Sequence, residues 1–375
     1  MRVAFSNTIK RIVIKVGSSV LTDESGLISQ QKVKALVEQI TFLVKKKKKE
    51  VVLVSSGAVA CGMYRLGLTK RPSDLSMMQA AAATGQGALI NTYETYFSKQ
   101  GFHTGQMLLT LDSMHNRTRY LNARNTIHSL LELKVIPIVN ENDTVSTEEL
   151  RFGDNDNLSA QVTMLADADL LVILSDVDGF MMGKGKARHV LSSVKKIDSN
   201  LTDHIEGMKD GGRTVGGMHT KVAVGFTMMR LGVPVVIANG NTKNVVSAIL
   251  EGDDVGTLFE PQIAKQSSKK RWLAFTATTN TDGAIIVDPG AAEALMRSGN
   301  SLLATGIVGK NGTFAFGDPV RIEDVDGIVI GKGITNYSSE DIERIRGKKS
   351  AEIKTLLGSE TYREVVHCDN LVTLV

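Results

Sequence analysis

Short apolar runs recur through the first two thirds of the chain, with amphipathic stretches between most of them. Ile12–Val16, Val51–Val54, Val135–Val139, Leu170–Leu174 and Val233–Ile237 are bounded by polar or small residues, which predicts buried strands, and Gln106–Thr110 reads as a further strand. In Ser29–Val44 the residues Val33, Leu36, Val37, Ile40, Leu43 and Val44 follow helical spacing, which predicts an amphipathic helix. Further helices are expected from Ala58, over Met77–Tyr96, Arg119–Leu133, Asn157–Ala166 and Met218–Leu231, and from Asn200. Alternation of this kind predicts an α/β fold with a mostly parallel sheet. Residues 256–259, GTLF, read as an edge strand. After residue 273 the pattern becomes short strands broken at Asp282-Gly283, Asn311-Gly312, Gly317-Asp318 and Asp326-Gly327, with helices at Gly290–Ser298 and Ser339–Arg346. The expected division is an α/β domain over 1–262, a linker over 263–274 and a small mostly-β domain over 275–375.

One stretch breaks the pattern. Asn140–Gln161 gathers Glu141, Asp143, Asp154 and Asp156 with Asn140, Asn142, Asn155 and Asn157, directly between two buried strands. Polar groups there need partners, and the strand ends of an α/β sheet are where ligand sites form. A solvated hairpin, expected over Thr144–Leu150, before an acid-capped helix accounts for the same composition. Other strand ends look alike. Lys15 lies inside the first strand, and Gly17-Ser18-Ser19 follows it. The second strand runs into Ser55-Ser56-Gly57-Ala58. Ser175 and Asp176 close the Leu170–Leu174 strand. Such turns present backbone N–H groups to an anion, although an edge-strand lysine and ordinary turns fit them too. Glycine-dense residues 211–217 open a helix whose first turn carries Thr220 and Lys221, the components of a phosphate cradle. No GxxxxGK[ST] and no GxGxxG after a strand occurs, so neither a P-loop nor a Rossmann dinucleotide site is expected.

Composition narrows the picture modestly. The chain has 375 residues, 42% hydrophobic and 22% charged, with a net charge of +4. Residues 1–260 hold 30 Lys and Arg against 26 Asp and Glu, whereas residues 275–375 hold 10 against 14. The C-terminal part thus offers no bulk attraction to nucleic acid. The run Lys45–Lys49 is expected to be a solvated helix end. Cys61 and Cys368 are isolated, suiting a reducing compartment and no zinc site. No apolar run approaches the ~20 residues needed to span a bilayer, and the first residues lack a signal-peptide core. A cytoplasmic location is expected.

Six motifs, in order, carry a resemblance: KVGSS at 15–19, SSGAVACG at 55–62, NENDTV at 140–145, FGDNDNLSA at 152–160, LSDVDG at 174–179 and GGMHTK at 216–221. Together they resemble the glutamate 5-kinase family, of the amino acid kinase fold, and the C-terminal part resembles a PUA domain. Related kinases share the lysine strand and glycine turns but generally lack the GDNDNLSA string and this tail. The resemblance implies a three-layer αβα sandwich and ATP-dependent phosphorylation of the side-chain carboxylate of L-glutamate, the first step towards proline. It implies that Lys15 and Lys221 contact the ATP phosphates and that Asp156 orients both. Gly17, Ser175, Asp176 and the loop Val215, Gly216, Gly217, Met218, His219, Thr220 and Lys221 line the nucleotide site. Ser56, Gly57, Asp143 and Asn155 hold glutamate. Mg²⁺ is expected to accompany ATP, bound mostly through its phosphates and water. A homo-oligomer, dimer or tetramer, and feedback inhibition by proline near residues 143–152 are expected with it. His219 and Ser175 stand where the family commonly has a small residue and Thr. The alternatives are a kinase of the same fold acting on N-acetylglutamate or aspartate, and an RNA-binding regulatory protein.

Overall fold

The computed structural model describes residues 4–110, 117–145, 154–183, 189–196, 217–263, 283–297, 300–358 and 362–373. The chain divides into two compact units, Met1–Lys265 and Gln266–Val375.

In the first unit the strands are β1 (Arg11–Val16), β2 (Glu50–Ser55), β3 (Thr104–Leu109), β4 (Ile136–Glu141), β5 (Leu170–Ser175), the two-residue β6 (Met181–Met182), β7 (His189–Val190) and β8 (Ser193–Val194), then β9 (Val235–Asn239) and β10 (Thr257–Phe259). The main sheet has the order β3-β4-β2-β1-β5-β9-β10-β8, with β3, β4, β2, β1, β5 and β9 mutually parallel. The chain winds from β1 outward through β2 to β3 and β4, then returns to β5 on the other side. β1 therefore lies where the winding reverses, the place in such sheets where a crevice opens beyond the strands' carboxyl ends. GTLF is not an edge strand. β10 runs antiparallel to β9 and is covered on its far side by β8.

The helices are α1 (Ser18–Leu21), α2 (Gln30–Lys45), α3 (Ala58–Arg65), α4 (Leu75–Lys99), α5 (Arg117–Glu132), α6 (Asp154–Leu165), α7 (Met218–Arg230) and α8 (Val245–Glu251). Strand alternation assigns the layers. Ile12, Ile14 and Val16 of β1 join one core with Val33, Leu36 and Ile40 of α2, Leu89 and Tyr93 of α4, and Val246 and Ile249 of α8. Lys15 belongs to the opposite face, where α6 and α7 pack on the sheet. A lysine is tolerated there because it is the penultimate residue of its strand, and its ammonium reaches the polar edge.

The small residues of α4 meet a helix of the same unit. A Cβ added at Gly62 would lie 1.7 Å from the Ala81 carbonyl oxygen, and one at Gly85 would lie 1.9 Å from that of Ala58. α3 and α4 thus touch backbone to backbone. α4 also begins earlier than its apolar pattern suggests, because the Asp74 carboxylate accepts from the Met77 N–H and caps it. The lysine run is only partly solvated. Lys49 is buried and donates to the carbonyls of Ser6 and Ile9 at 2.6 and 2.5 Å, fastening the segment before β1. The helix expected from Asn200 and most of the hairpin expected at 144–150 lie outside the described residues.

The second unit holds a sheet ordered β12-β11-β13-β14-β15, from β11 (Ala284–Val287), β12 (Ile307–Asn311), β13 (Pro319–Glu323), β14 (Val329–Ile334) and β15 (Leu371–Thr373). Its core includes Ile285, Val287, Phe314, Ile322, Tyr337, Ile342 and Val366. Gly312, Gly317 and Gly327 all have positive φ, as the NG, GD and DG turns predict. Helices Pro289–Met296 and Ser339–Ile345 match expectation. A third, Ser350–Leu357, was not foreseen; no Ser, Thr, Asp or Asn occupies its N-cap, which is Lys349.

Candidate functional site

The polar stretch begins its helix earlier than the apolar period indicates. α6 starts at Asp154, so Asn155 and Asp156 stand in its first turn, pointing over the carboxyl ends of β1, β2 and β4. Asp156 is 1% exposed, Lys15 6% and Lys221 8%. Lys15 Nζ lies 2.6 Å from Asp156 Oδ1, and Lys221 Nζ lies 3.0 Å from Asp156 Oδ2. One carboxylate therefore bridges two ammonium groups 206 positions apart in sequence, leaving the trio with a formal charge of +1. Burial, and next the neighbouring Lys221 cation, push the Lys15 pKa down, while Asp156 opposes them. An excess cation in a dry place is a receptor for an anion.

Lys221 is held from below as well. It donates to the Gly217 carbonyl at 3.1 Å, and Gly217 N-caps α7 with φ 101°. A Cβ at Gly217 would lie 2.8 Å from Lys221 Nζ. Only glycine both adopts that backbone and leaves room for the ammonium. Met218 is buried, while His219 and Thr220 are partly exposed on the first turn of α7. Val215 and Gly216 lie outside the described residues. On β5, Ser175 Oγ donates to Asp176 Oδ1 at 3.1 Å, and the negative charge of Asp176 bears on Lys15. The Gly17 N–H is not open to an anion: it donates to the Leu174 carbonyl at 3.0 Å, tying β1 to β5. Gly17 sits close to the Lys15 ammonium all the same, with an added Cβ 3.9 Å from Nζ.

A second set of groups lies on the β2 and β4 side. Asn155 Nδ2 donates to Ser56 Oγ at 2.9 Å, to Asn140 Oδ1 at 3.2 Å and to the Ser55 carbonyl at 3.3 Å. Gly57 follows with φ 108° and caps α3. Asp143 is half-buried in the turn after β4, and burial raises its carboxyl pKa against the opposing pull of Arg71. The expected residues Lys15, Lys221 and Asp156 thus meet through direct contact, as do Ser56 and Asn155. Sequence reasoning missed the groups beneath them. Asn140 is 2% exposed and donates to Gln86 Oε1 on α4 at 2.8 Å. Tyr93, also on α4, is hydrogen-bonded to Ser55 Oγ at 2.9 Å, and Ser55 Oγ donates to the Ser56 carbonyl at 3.0 Å. The available signal was a glutamine set between two glycines in an otherwise small-residue helix, at a seven-residue interval from a tyrosine.

The geometry is a cationic clamp at the centre of the sheet edge, with amide and hydroxyl groups to one side and a glycine-capped helix to the other. The amino acid kinase family model matches residues 10–239, and the PUA domain model matches residues 283–357. The glutamate 5-kinase of Caldanaerobacter subterraneus subsp. tengcongensis is 44% identical over 367 residues, covering 97% of this chain and 98% of its own length. That of Syntrophotalea carbinolica is 44% identical over 375 residues, covering 99% of each. That of a Geobacter species is 42% identical over 376 residues, covering 100% of each. No helix among the described residues is long and apolar enough to cross a membrane. With its clamp lying in the matched region and near-full-length relatives at this identity, the chain belongs to the amino acid kinase family, within its glutamate 5-kinase group, and carries a PUA domain.

Proposed function

We propose that this chain transfers the γ-phosphoryl group of ATP to the side-chain carboxylate of L-glutamate, giving L-glutamyl 5-phosphate and ADP on the route to proline. The observation that carries the proposal is the Lys15–Asp156–Lys221 bridge set beside the Ser56–Asn155 pair. The nucleophile is already ionised, so no general base is needed. A carboxylate oxygen forms a bond to Pγ while the bond from Pγ to the β–γ bridging oxygen breaks, and ADP leaves with that electron pair. The barrier is the meeting of two anions, and the remedy is fixed positive charge around the transferring group.

In this reading Lys15 and Lys221 hold phosphoryl oxygens, and Asp156 keeps the two ammonium groups close without mutual repulsion. Gly17, Ser175, Asp176 and Val215 to Lys221 line the nucleotide. Ser56, Gly57, Asp143 and Asn155 hold glutamate, with Asp143 facing its ammonium. The Asp156 carboxylate is taken up by two lysines, which suits a Mg²⁺ that arrives on the ATP phosphates and spreads their charge. A cytoplasmic homo-oligomer inhibited by proline completes the proposal, on the strength of the family resemblance.

A substrate panel tests the acceptor. With ATP and Mg²⁺, and hydroxylamine to trap acyl phosphate, L-glutamate should give hydroxamate faster than aspartate, N-acetylglutamate, carbamate or UMP gives product. Faster turnover of any other member would overturn the assignment.

Lys15 in the ligand-free fold has a pKa below the ordinary lysine value of 10.5. The kcat/KM for ATP reports the free enzyme, so it should fall on the alkaline side with a midpoint below 10.5, as Lys15 loses its charge. Stability moves the other way. Between the folded pKa and 10.5 the unfolded chain binds more protons at this site, so its contribution to unfolding free energy rises with pH. Activity and melting profiles measured over the same alkaline range should diverge, and Lys15→Met should remove this contribution to the melting profile. An alkaline midpoint at or above the ordinary lysine value would contradict the account.

A further inference from the structure

The amide groups beside the glutamate subsite have a fixed polarity, and the chain of them begins on a residue with no role so far. The Glu141 N–H can only donate, and it lies 2.9 Å from Asn140 Oδ1. The Asn140 amide nitrogen is therefore turned the other way, where it donates to Gln86 Oε1. The Ser55 carbonyl can only accept, so Asn155 Nδ2 must face it, together with Ser56 Oγ and Asn140 Oδ1. Asn155 Oδ1 is consequently left buried with no hydrogen-bond partner among the described residues. A buried acceptor in that state is costly, and a ligand's donor relieves it. Ser56 Oγ accepts from Asn155 and keeps its own proton to give.

We propose that Gln86 is a positioning residue that sets selectivity for the free amino group of the acceptor. Its amide oxygen holds Asn140, Asn140 holds Asn155, and Asn155 Oδ1 is thereby presented to the α-ammonium of glutamate. Gln86 is suited to the task by its seat. Its neighbour Gly85 packs against the Ala58 carbonyl and the Gly62 amide, so this turn of α4 cannot shift relative to α3. The proposal rests on L-glutamate being the acceptor, as argued above.

The test compares L-glutamate with glutarate, the same dicarboxylate without the amino group, using the full-length chain. In Gln86→Met the KM for L-glutamate should rise about tenfold, the scale of one hydrogen bond to a charged group. The inhibition constant of glutarate and the KM for ATP should stay within about twofold, because neither ligand uses the oriented acceptor. Gln86→Asn, polar but one methylene shorter, should change in the same direction, and it serves if the methionine variant folds poorly. In an Asn140→Ala background Gln86→Met should add less than about twofold, since both act through one chain of contacts. A merely structural role would weaken glutamate, glutarate and ATP together, and that result overturns the proposal. So does an unchanged KM for L-glutamate, or full additivity with Asn140→Ala. A wild-type chain inactive on L-glutamate overturns the acceptor assignment, and this proposal with it.

Discussion

Asp156→Asn should lower kcat by about a thousandfold or more, the largest effect of any single change at the site. The neutral amide keeps the shape but cannot balance two ammonium groups that lie 2.6 and 3.0 Å from it. At most one amide oxygen remains to accept, and the amide nitrogen faces a cation donor to donor. Both lysines are nearly fully buried, so neither can escape to water without unpacking the sheet edge. Removing the partner of a buried charge costs about 3–5 kcal/mol, and here two charges lose the same partner. The apo protein should therefore melt lower as well. A polyphosphate supplies the missing negative charge, so saturating ATP or pyrophosphate should raise the melting temperature of Asp156→Asn more than that of the wild type. Equal ligand shifts in the two proteins would mean that the lysines do not face the phosphates. Steady-state kinetics and a thermal melt with and without pyrophosphate measure both parts.

Lys221→Met should behave differently, and the contrast is informative. Loss of one fixed cation from the transferring group should reduce kcat by about 10²–10³, corresponding to ~2.7–4 kcal/mol of transition-state stabilisation. Apo stability should hardly fall. The trio goes from a net +1 to a neutral Lys15–Asp156 pair, which keeps its 2.6 Å contact, and methionine fills the volume of the lysine stem. One substitution thus removes catalysis while sparing the fold, and the other damages both. A Lys221→Met enzyme retaining a third or more of wild-type kcat would show that the second ammonium is not at the reacting phosphoryl group.

Much of the candidate site was legible in the sequence because its polar groups sit at strand ends. A lysine inside a β-branched run, a Gly turn after it, and acid–amide alternation before a helix each violate the expected pattern of buried and exposed residues. Such local exceptions mark functional positions. The strand holding Lys15 and the stretch holding Asp156 stand out on those grounds, and Lys221 through the glycine-dense run before it, but their joint role is what the family resemblance implies. What could not be read was the second layer. Gln86 and Tyr93 lie on a helix whose composition speaks only of close packing, and their partners Asn140 and Ser55 are 54 and 38 residues away. No local rule links them, because the link is made by the sheet order and by the Gly62–Gly85 crossing. The Gly17 amide shows the same limit from the other side. A strand followed by glycine suggests a free donor, yet the neighbouring β5 carbonyl of Leu174 claims it. Which donors stay open depends on strand neighbours, and strand order is not a local property. The α/β class followed from alternation, and the three-layer sandwich from the family resemblance. The position of β10 did not, since a three-residue strand carries too little pattern to reveal what covers it.

The most direct measurement is a crystal structure with a non-hydrolysable ATP analogue, Mg²⁺ and L-glutamate bound together. The account predicts both ammonium groups, Lys15 and Lys221, within hydrogen-bond distance of γ-phosphate oxygens, with Asp156 still between them and the glutamate side-chain carboxylate aligned on Pγ. A γ-phosphate bound elsewhere, with the two lysines still closed on Asp156, would contradict it.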